Sequence, residues 1–209
     1  TAVVWNPIRQ RFYAAIRYHG YYESTDGVTF TRMASQPGIN LDSAKCPPNT
    51  GFPGSPGCPV FRGALAVQPV TGDMFALSVD NYNRDQGLWQ DNCSPAGNCA
   101  SSAVKFASRL NSGALETGVG DTTIQQGDYN LWLAAVPQQL NLAGDTILYA
   151  GTLDIFRCSL NAGCSWRNTT NTATCASGRV APSQHAGVAL PGQPQLIYFG
   201  NDGGLWRST

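Results

Sequence analysis

The chain is poor in charge. Only 12% of its residues are Asp, Glu, Lys or Arg, against roughly a quarter in an average soluble domain, so solubility rests on Asn, Gln, Ser, Thr and Gly. Such an uncharged polar surface suits a protein outside the cell better than one in the cytosol. Thirteen basic and thirteen acidic residues cancel, which removes the electrostatic footprint of a nucleic-acid binder, and no polyanion partner is expected. No run of about 18 apolar residues occurs, so no helical membrane span is expected. The amino terminus carries neither a Met nor a basic segment followed by an apolar core, so any export signal is expected to have been removed already. A serine-hydrolase elbow, Gly-x-Ser-x-Gly, is missing. Cysteines at the close spacing of zinc ligands, with His partners, are missing too; no metal and no cofactor is expected. Helical periodicity is not sustained anywhere, and Ala100 to Leu115 is the one stretch that allows a helical turn.

What the chain does have is cysteine, seven of them, at positions 46, 58, 93, 99, 158, 164 and 175. Cys93 to Cys99 and Cys158 to Cys164 share one spacing and are filled with turn-forming Ser, Pro, Asn, Ala and Gly, so each segment can fold back until its ends meet at disulfide distance. Cys46 and Cys58 bracket a Pro/Gly-rich loop and form a third candidate pair. Cys175 is left over, which points to a partner elsewhere or a free thiol. Oxidised pairs place the protein in the periplasm, at the cell surface or outside the cell.

An internal repeat sets the expected fold. Apolar strands Ala2–Pro7, Ala64–Pro69, Leu131–Pro137 and Ala186–Pro191 each run into a proline, which cannot donate to a sheet ladder. Each is followed by a β-branched and aromatic strand (Phe12–Ile16, Met74–Val79, Ile147–Gly151, Leu196–Gly200) and then a third (Gly20–Ser24, Gly87–Asp91, Asp154–Cys158, Gly204–Ser208). Tyr21 to Leu88 and Leu88 to Ile155 are both steps of 67 residues, whereas Ile155 to Leu205 is 50. Short strands that restart with the same apolar segment at a fixed period predict an all-β propeller of four-stranded antiparallel blades. The blades are expected at about 1–36, 60–110, 127–172 and 182–209, the last without its outer strand. Because unpaired edges are a liability, the chain is expected to be part of a longer polypeptide or assembly of about six to eight blades.

Ser24-Thr-Asp-Gly-Val-Thr-Phe30 resembles an Asp-box, the Ser-x-Asp-x-Gly-x-Thr-Trp hairpin of sialidases and related propellers, one residue short. Ser159-Leu-Asn-Ala-Gly-Cys-Ser-Trp166 is a degraded copy, with Asn161 in the place of the Asp. The resemblance implies structural roles for Ser24, Asp26 and Phe30, and for Ser159, Asn161 and Trp166: a short polar side chain holds turn amides while the aromatic packs between blades. The disulfides Cys93/Cys99 and Cys158/Cys164 would then fix the turns whose boxes are degraded. On that view, reduction loosens blades two and three and leaves blade one comparatively ordered. Together with Gln126–Pro137, Ile155–Arg157, Gln184–His185 and Ile197–Thr209, these motifs resemble the bacterial BNR-repeat, sortilin-like and xyloglucanase-like propeller group. That likeness speaks to fold rather than activity.

In such a blade the start of the inner strand and the loop from second to third strand emerge at one end, opposite the Asp-boxes. This rule gathers Arg62, Asp128, Tyr129, Asn130, Gln184 and His185 with Arg17, His19, Asp80, Asn81, Arg84, Asp85, Asp154, Asn201 and Asp202. The binding candidates are Arg62, Asp128, Tyr129, His185, Asn201, Asp202 and His19, carboxylates, imidazoles and rings fit for a carbohydrate or protein ligand. Plainer readings stand beside them. Asn201–Gly204 also reads as a tight turn, His185 as a hydrogen-bonded residue near the channel, and His19 as packing within Tyr18–Tyr22. Asp128 has no local turn to explain it. Sialidase chemistry would ask for an arginine cluster and a Phe-Arg-Ile-Pro motif, which the chain lacks. Inverting glycoside hydrolysis would need two carboxylates about 6.5 to 9.5 Å apart, for which Asp128 and Asp202 are the catalytic candidates. The expectation is therefore an extracellular binding or scaffold module, with a secreted glycoside hydrolase as the alternative.

Overall fold

The computed structural model of the chain describes residues 2–37, 62–80, 82–93, 99, 103–110, 115, 123–138, 145–170, 180–190 and 192–208, without the side chains of Pro194 and Gln195. Cys46, Cys58, Cys175 and Asn81 lie outside the described residues. All the named elements are strands, in four antiparallel sheets. The first sheet orders β1 (Ala2–Asn6), β2 (Arg11–Ile16), β3 (Gly20–Ser24) and β4 (Thr31–Arg32). The second orders β5 (Arg62–Val67), β6 (Met74–Val79), β7 (Asp85–Asp91) and β8 (Ser108–Leu110). The third comprises β9 (Trp132–Pro137), β10 (Thr146–Gly151), β11 (Ile155–Ser159) and β12 (Arg167–Asn168), and the fourth β13 (Gln184–Leu190), β14 (Gln193–Asn201) and β15 (Gly204–Arg207). Sequence order is spatial order within every sheet, and the first strands lie side by side, β1 by β5, β5 by β9 and β9 by β13. This is a β-propeller of four blades with β1, β5, β9 and β13 innermost. Within the stretch that allowed a helical turn, Ser108–Leu110 forms β8, because Leu110 and Arg109 pair with Leu88 and Trp89 and complete the second blade's ladder.

The period of two along each strand puts side chains on both faces of a blade, and three apolar clusters fill the gaps between blades. Tyr13, Ala15 and Tyr21 of blade one meet Leu65, Met74 and Ala76 of blade two. Phe75, Leu77 and Leu88 meet Leu133, Leu148 and Phe156 of blade three, and Trp132, Val136 and Ile155 meet Ile197 and Phe199 of blade four. Two interfaces are wedged by an aromatic ring against glycine. The Tyr21 hydroxyl lies where a side chain on Gly63 would stand, and the Trp132 ring occupies the corresponding space beside Gly151 and Gly187. Burial raises the proton affinity of the Tyr21 hydroxyl, which bonds Ser78 Oγ at 2.6 Å.

The lower end is held by short polar side chains. Asn6 Oδ1 accepts the amides of Ile8 and Arg9, and Gln68 Oε1 those of Val70 and Thr71, so the inner strands of blades one and two both end in a capped turn. In blade one Asp26 Oδ1 accepts the amides of Val28 and Thr29, both at 2.8 Å, while Ser24 Oγ donates to the same oxygen. The third blade departs from expectation. Asn161 gives its backbone amide, and the carboxylate that receives it is Asp145, just ahead of β10, which also takes the Ser159 hydroxyl. Asp73, just ahead of β6, likewise accepts the Cys93 amide at 2.7 Å. Cys93–Cys99 and Cys158–Cys164 are both disulfides, with Cα separations of 5.2 and 4.8 Å. Trp166 is buried in the cluster between blades two and three, and Phe30 is half-buried.

The Thr29 and Val28 amides, with Ser24, hold the Asp26 carboxyl at about 2, below its ordinary 3.8. A carboxyl depressed on folding stabilises fully above the unfolded value and loses that contribution as pH falls through the folded one. We expect the Ser24–Phe30 turn to loosen between pH 3.8 and about 2, read from the Val28 and Thr29 amide resonances. An Asp26→Asn variant should show no transition in that window.

Candidate functional site

The antiparallel order brings the starts of β5, β9 and β13 to one end, together with the β2–β3, β6–β7, β10–β11 and β14–β15 turns. Blades two and three are tied there. The Ile124 amide donates to the Asn83 carbonyl at 2.7 Å, Arg84 forms a bridge with Thr123, and Asn83 Nδ2 donates to Asp128 Oδ1 at 3.0 Å. Arg62, at the start of β5, reaches across to the carbonyls of Asp128, Tyr129 and Leu131. Burial and the like charge of Arg17 both weaken its hold on its proton. Its Nη donors position this loop, so Arg62 shapes the rim.

Blades three and four meet through rings. The Tyr129 ring stands edge-on to His185, with centroids 5.6 Å apart and planes at 87°. His185 Nε2 donates to Asp202 Oδ1 at 2.6 Å, in the β14–β15 turn. That hydrogen bond is the main reason the Asp202 carboxyl sits below the usual carboxylate range. Tyr129 is nevertheless 66% exposed, and His185, Asp128 and Asp202 are open to solvent as well. On blade two Tyr82 is 64% exposed, with the Arg84 guanidinium over its ring at 4.8 Å while Arg84 pairs with Asp80. The rim of blades two to four is thus a row of fixed aromatic and carboxylate groups.

Other candidates serve the fold. Asn201 Oδ1 accepts the Gly203 amide at 2.9 Å and the Trp206 indole N–H at 2.8 Å, and its amide donates to Gln184, so the turn reading describes it. Asp80 accepts the amides of Tyr82 and Arg84. Asp154 is buried and takes Asn168 Nδ2 and Thr170 Oγ1. His19 belongs to the β2–β3 turn of blade one, where its amide donates to the Ile16 carbonyl. Tyr82 and Asn83 are members of the rim that the sequence did not single out. The signal was present in Asp80–Arg84, a polar loop carrying an unneeded aromatic.

The path of the chain has a solved counterpart. The crystal structure of the Niastella koreensis GH74 enzyme matches all of this chain with a TM-score of 0.55, at 16% identity. The chain spans 28% of that enzyme's chain, and at this identity the likeness shows the fold alone. No protein-family model and no curated protein sequence matches.

Proposed function

We propose that the rim of blades two to four binds a neutral carbohydrate chain, and that the protein is an exported binding module. The observation that carries this reading is Tyr129, an exposed ring standing edge-on to His185, which is itself hydrogen-bonded to Asp202. A sugar ring presents an apolar C–H face that packs on such a ring, while its hydroxyls donate to carboxylates. Ionised acceptors make the stronger hydrogen bonds, and a ring fixed beforehand loses little freedom on binding. The exposed carboxylates disfavour acidic ligands: Asp128 and Asp202 stand open to solvent, while Arg84 is paired with Asp80. An acidic sugar lying between Tyr129 and Asp202 would be repelled by these carboxylates. The disulfides Cys93–Cys99 and Cys158–Cys164 fit an oxidising compartment.

Affinity electrophoresis through neutral plant polysaccharides, with sialosides as the acidic control, tests the proposal. Binding is expected for a neutral polymer, and Tyr129→Ala should weaken it by about tenfold, equivalent to about 1.4 kcal/mol. Equal retardation of the variant, or a preference for the acidic ligands, would overturn it.

A glycoside hydrolase acting at the same rim is the second reading, favoured by one feature. Asp128 and Asp202 are both exposed carboxylates on this rim, and His185 keeps Asp202 ionised, the form a group that orients an attacking water needs. Release of reducing ends from the bound polymer distinguishes the two readings, and it should vanish in Asp202→Asn.

A further inference from the structure

β13 departs from a regular strand where it enters the rim. Gln184 pairs with Asn201 and Ala186 with Gly200, so His185 is an extra residue in the ladder. Ser183, two residues before it, has a φ of 65°, in the left-handed region. A bulge of this kind re-aims the side chain it carries. The His185 ring bonds Asp202 through Nε2 and neighbours the Tyr129 ring. Because the Asp202 carboxyl is held ionised, it can only accept, so Nε2 keeps the proton and Nδ1 of the neutral ring is an acceptor. Among the described residues nothing is hydrogen-bonded to that Nδ1, and the side chain is 39% exposed.

We propose that His185 Nδ1 accepts a hydrogen bond from a hydroxyl of the bound polymer, an inference that rests on the carbohydrate reading of this rim. Asp128 and Asp202 are exposed on the same rim, and ionised carboxylates accept only. A sugar stacked on Tyr129 therefore meets acceptors and must bring donors to them. A polymer with unsubstituted hydroxyls supplies these, whereas its O-methylated form keeps the ring faces and loses the donors. Asp202 is a positioning residue in this arrangement, since its bond to Nε2 sets the tautomer that leaves Nδ1 bare.

Two substitutions separate this role from a structural one. His185→Gln keeps an amide at the place of Nε2, able to donate to Asp202, and has no acceptor at the place of Nδ1. His185→Asn does the reverse, putting Oδ1 at the place of Nδ1 and losing the reach to Asp202. Both variants, Tyr129→Ala and the unaltered chain are run by affinity electrophoresis through xyloglucan, galactomannan and mixed-linkage β-glucan. His185→Gln should bind about five- to tenfold more weakly, the worth of one hydrogen bond. His185→Asn should recover most of that loss, and the O-methylated polymer should retard the unaltered chain less than its parent does. If His185 only braced Tyr129, His185→Asn would be the weaker of the two variants, and that order would overturn the proposal. Undiminished binding by His185→Gln, with Tyr129→Ala weakened, would overturn it while leaving the carbohydrate reading in place. Retardation in none of the gels would overturn both. In the unaltered chain the nitrogen resonance of His185 Nδ1 should move when an oligosaccharide of the retarding polymer is added, and an unmoved resonance at saturation would also overturn the proposal.

Discussion

Replacing Arg9 with Met should cost about 3 to 5 kcal/mol of stability, the range for leaving one member of a buried ion pair without its partner. Arg9 lies between the lower ends of blades one and two, and its side chain is almost fully buried. Its guanidinium pairs with Asp91 and donates to the Cys99 carbonyl at 3.0 Å. Asp91 also accepts the Lys105 amide at 2.7 Å, so without Arg9 a buried carboxylate would keep, among the described residues, that hydrogen bond and lose the counter-charge paired with it. Denaturant midpoints read the loss, and Arg9→Met with Asp91→Leu should recover part of it, because both charges are then gone. The same contact alters the expectation for reduction. Cys99 is held by its disulfide to Cys93, and through Arg9 that loop anchors blade one as well as blade two. Reductant should therefore raise hydrogen exchange at residues 8–12 too, rather than sparing blade one. A closed loop this short contributes about 2 to 3 kcal/mol in the chain-entropy model.

The second large effect is expected at Trp132, whose ring is the wedge between blades three and four. Trp132→Ala should cost about 3 to 5 kcal/mol, as large aromatic truncations in cores do. Gly187→Val should cost about 1 to 3 kcal/mol by overpacking, since its side chain would occupy the space of the Trp132 ring. Thermal unfolding of the double variant Trp132→Leu with Gly187→Val decides whether the wedge explains both. Partial compensation is predicted, and costs that simply add would mean that the two residues do not share one space.

These two contacts also mark where sequence reading reached its limit. The inner strands, the step of 67 residues and the Ser24/Asp26 turn were legible because their determinants are local: alternation along a strand, proline at its end, hydrogen bonds spanning two or three residues. Asn201 was legible as a turn for the same reason. Arg9 and Asp91 are 82 residues apart, and no spacing rule joins them. Asp145 was missed because the carboxylate that holds the third blade's turn comes from the preceding connection, not from the box in which Asn161 takes the Asp position. At the rim, Asp128, Tyr129, His185 and Asp202 were gathered by the rule that inner-strand starts and second-to-third turns share an end. That rule gave no means of telling Arg62 or Asn201, engaged in holding the backbone, from Tyr129, which is left exposed.

We propose the rim carried by blades two to four as the binding surface. Hydrogen exchange of the oxidised chain, with and without a saturating neutral oligosaccharide, tests it most directly. Slower exchange is expected at residues 82–84, 128–130, 183–185 and 202–204, with the lower turns at 24–30 and 159–164 unchanged. Protection confined to those lower turns, or none at the rim while the ligand is bound, would contradict it.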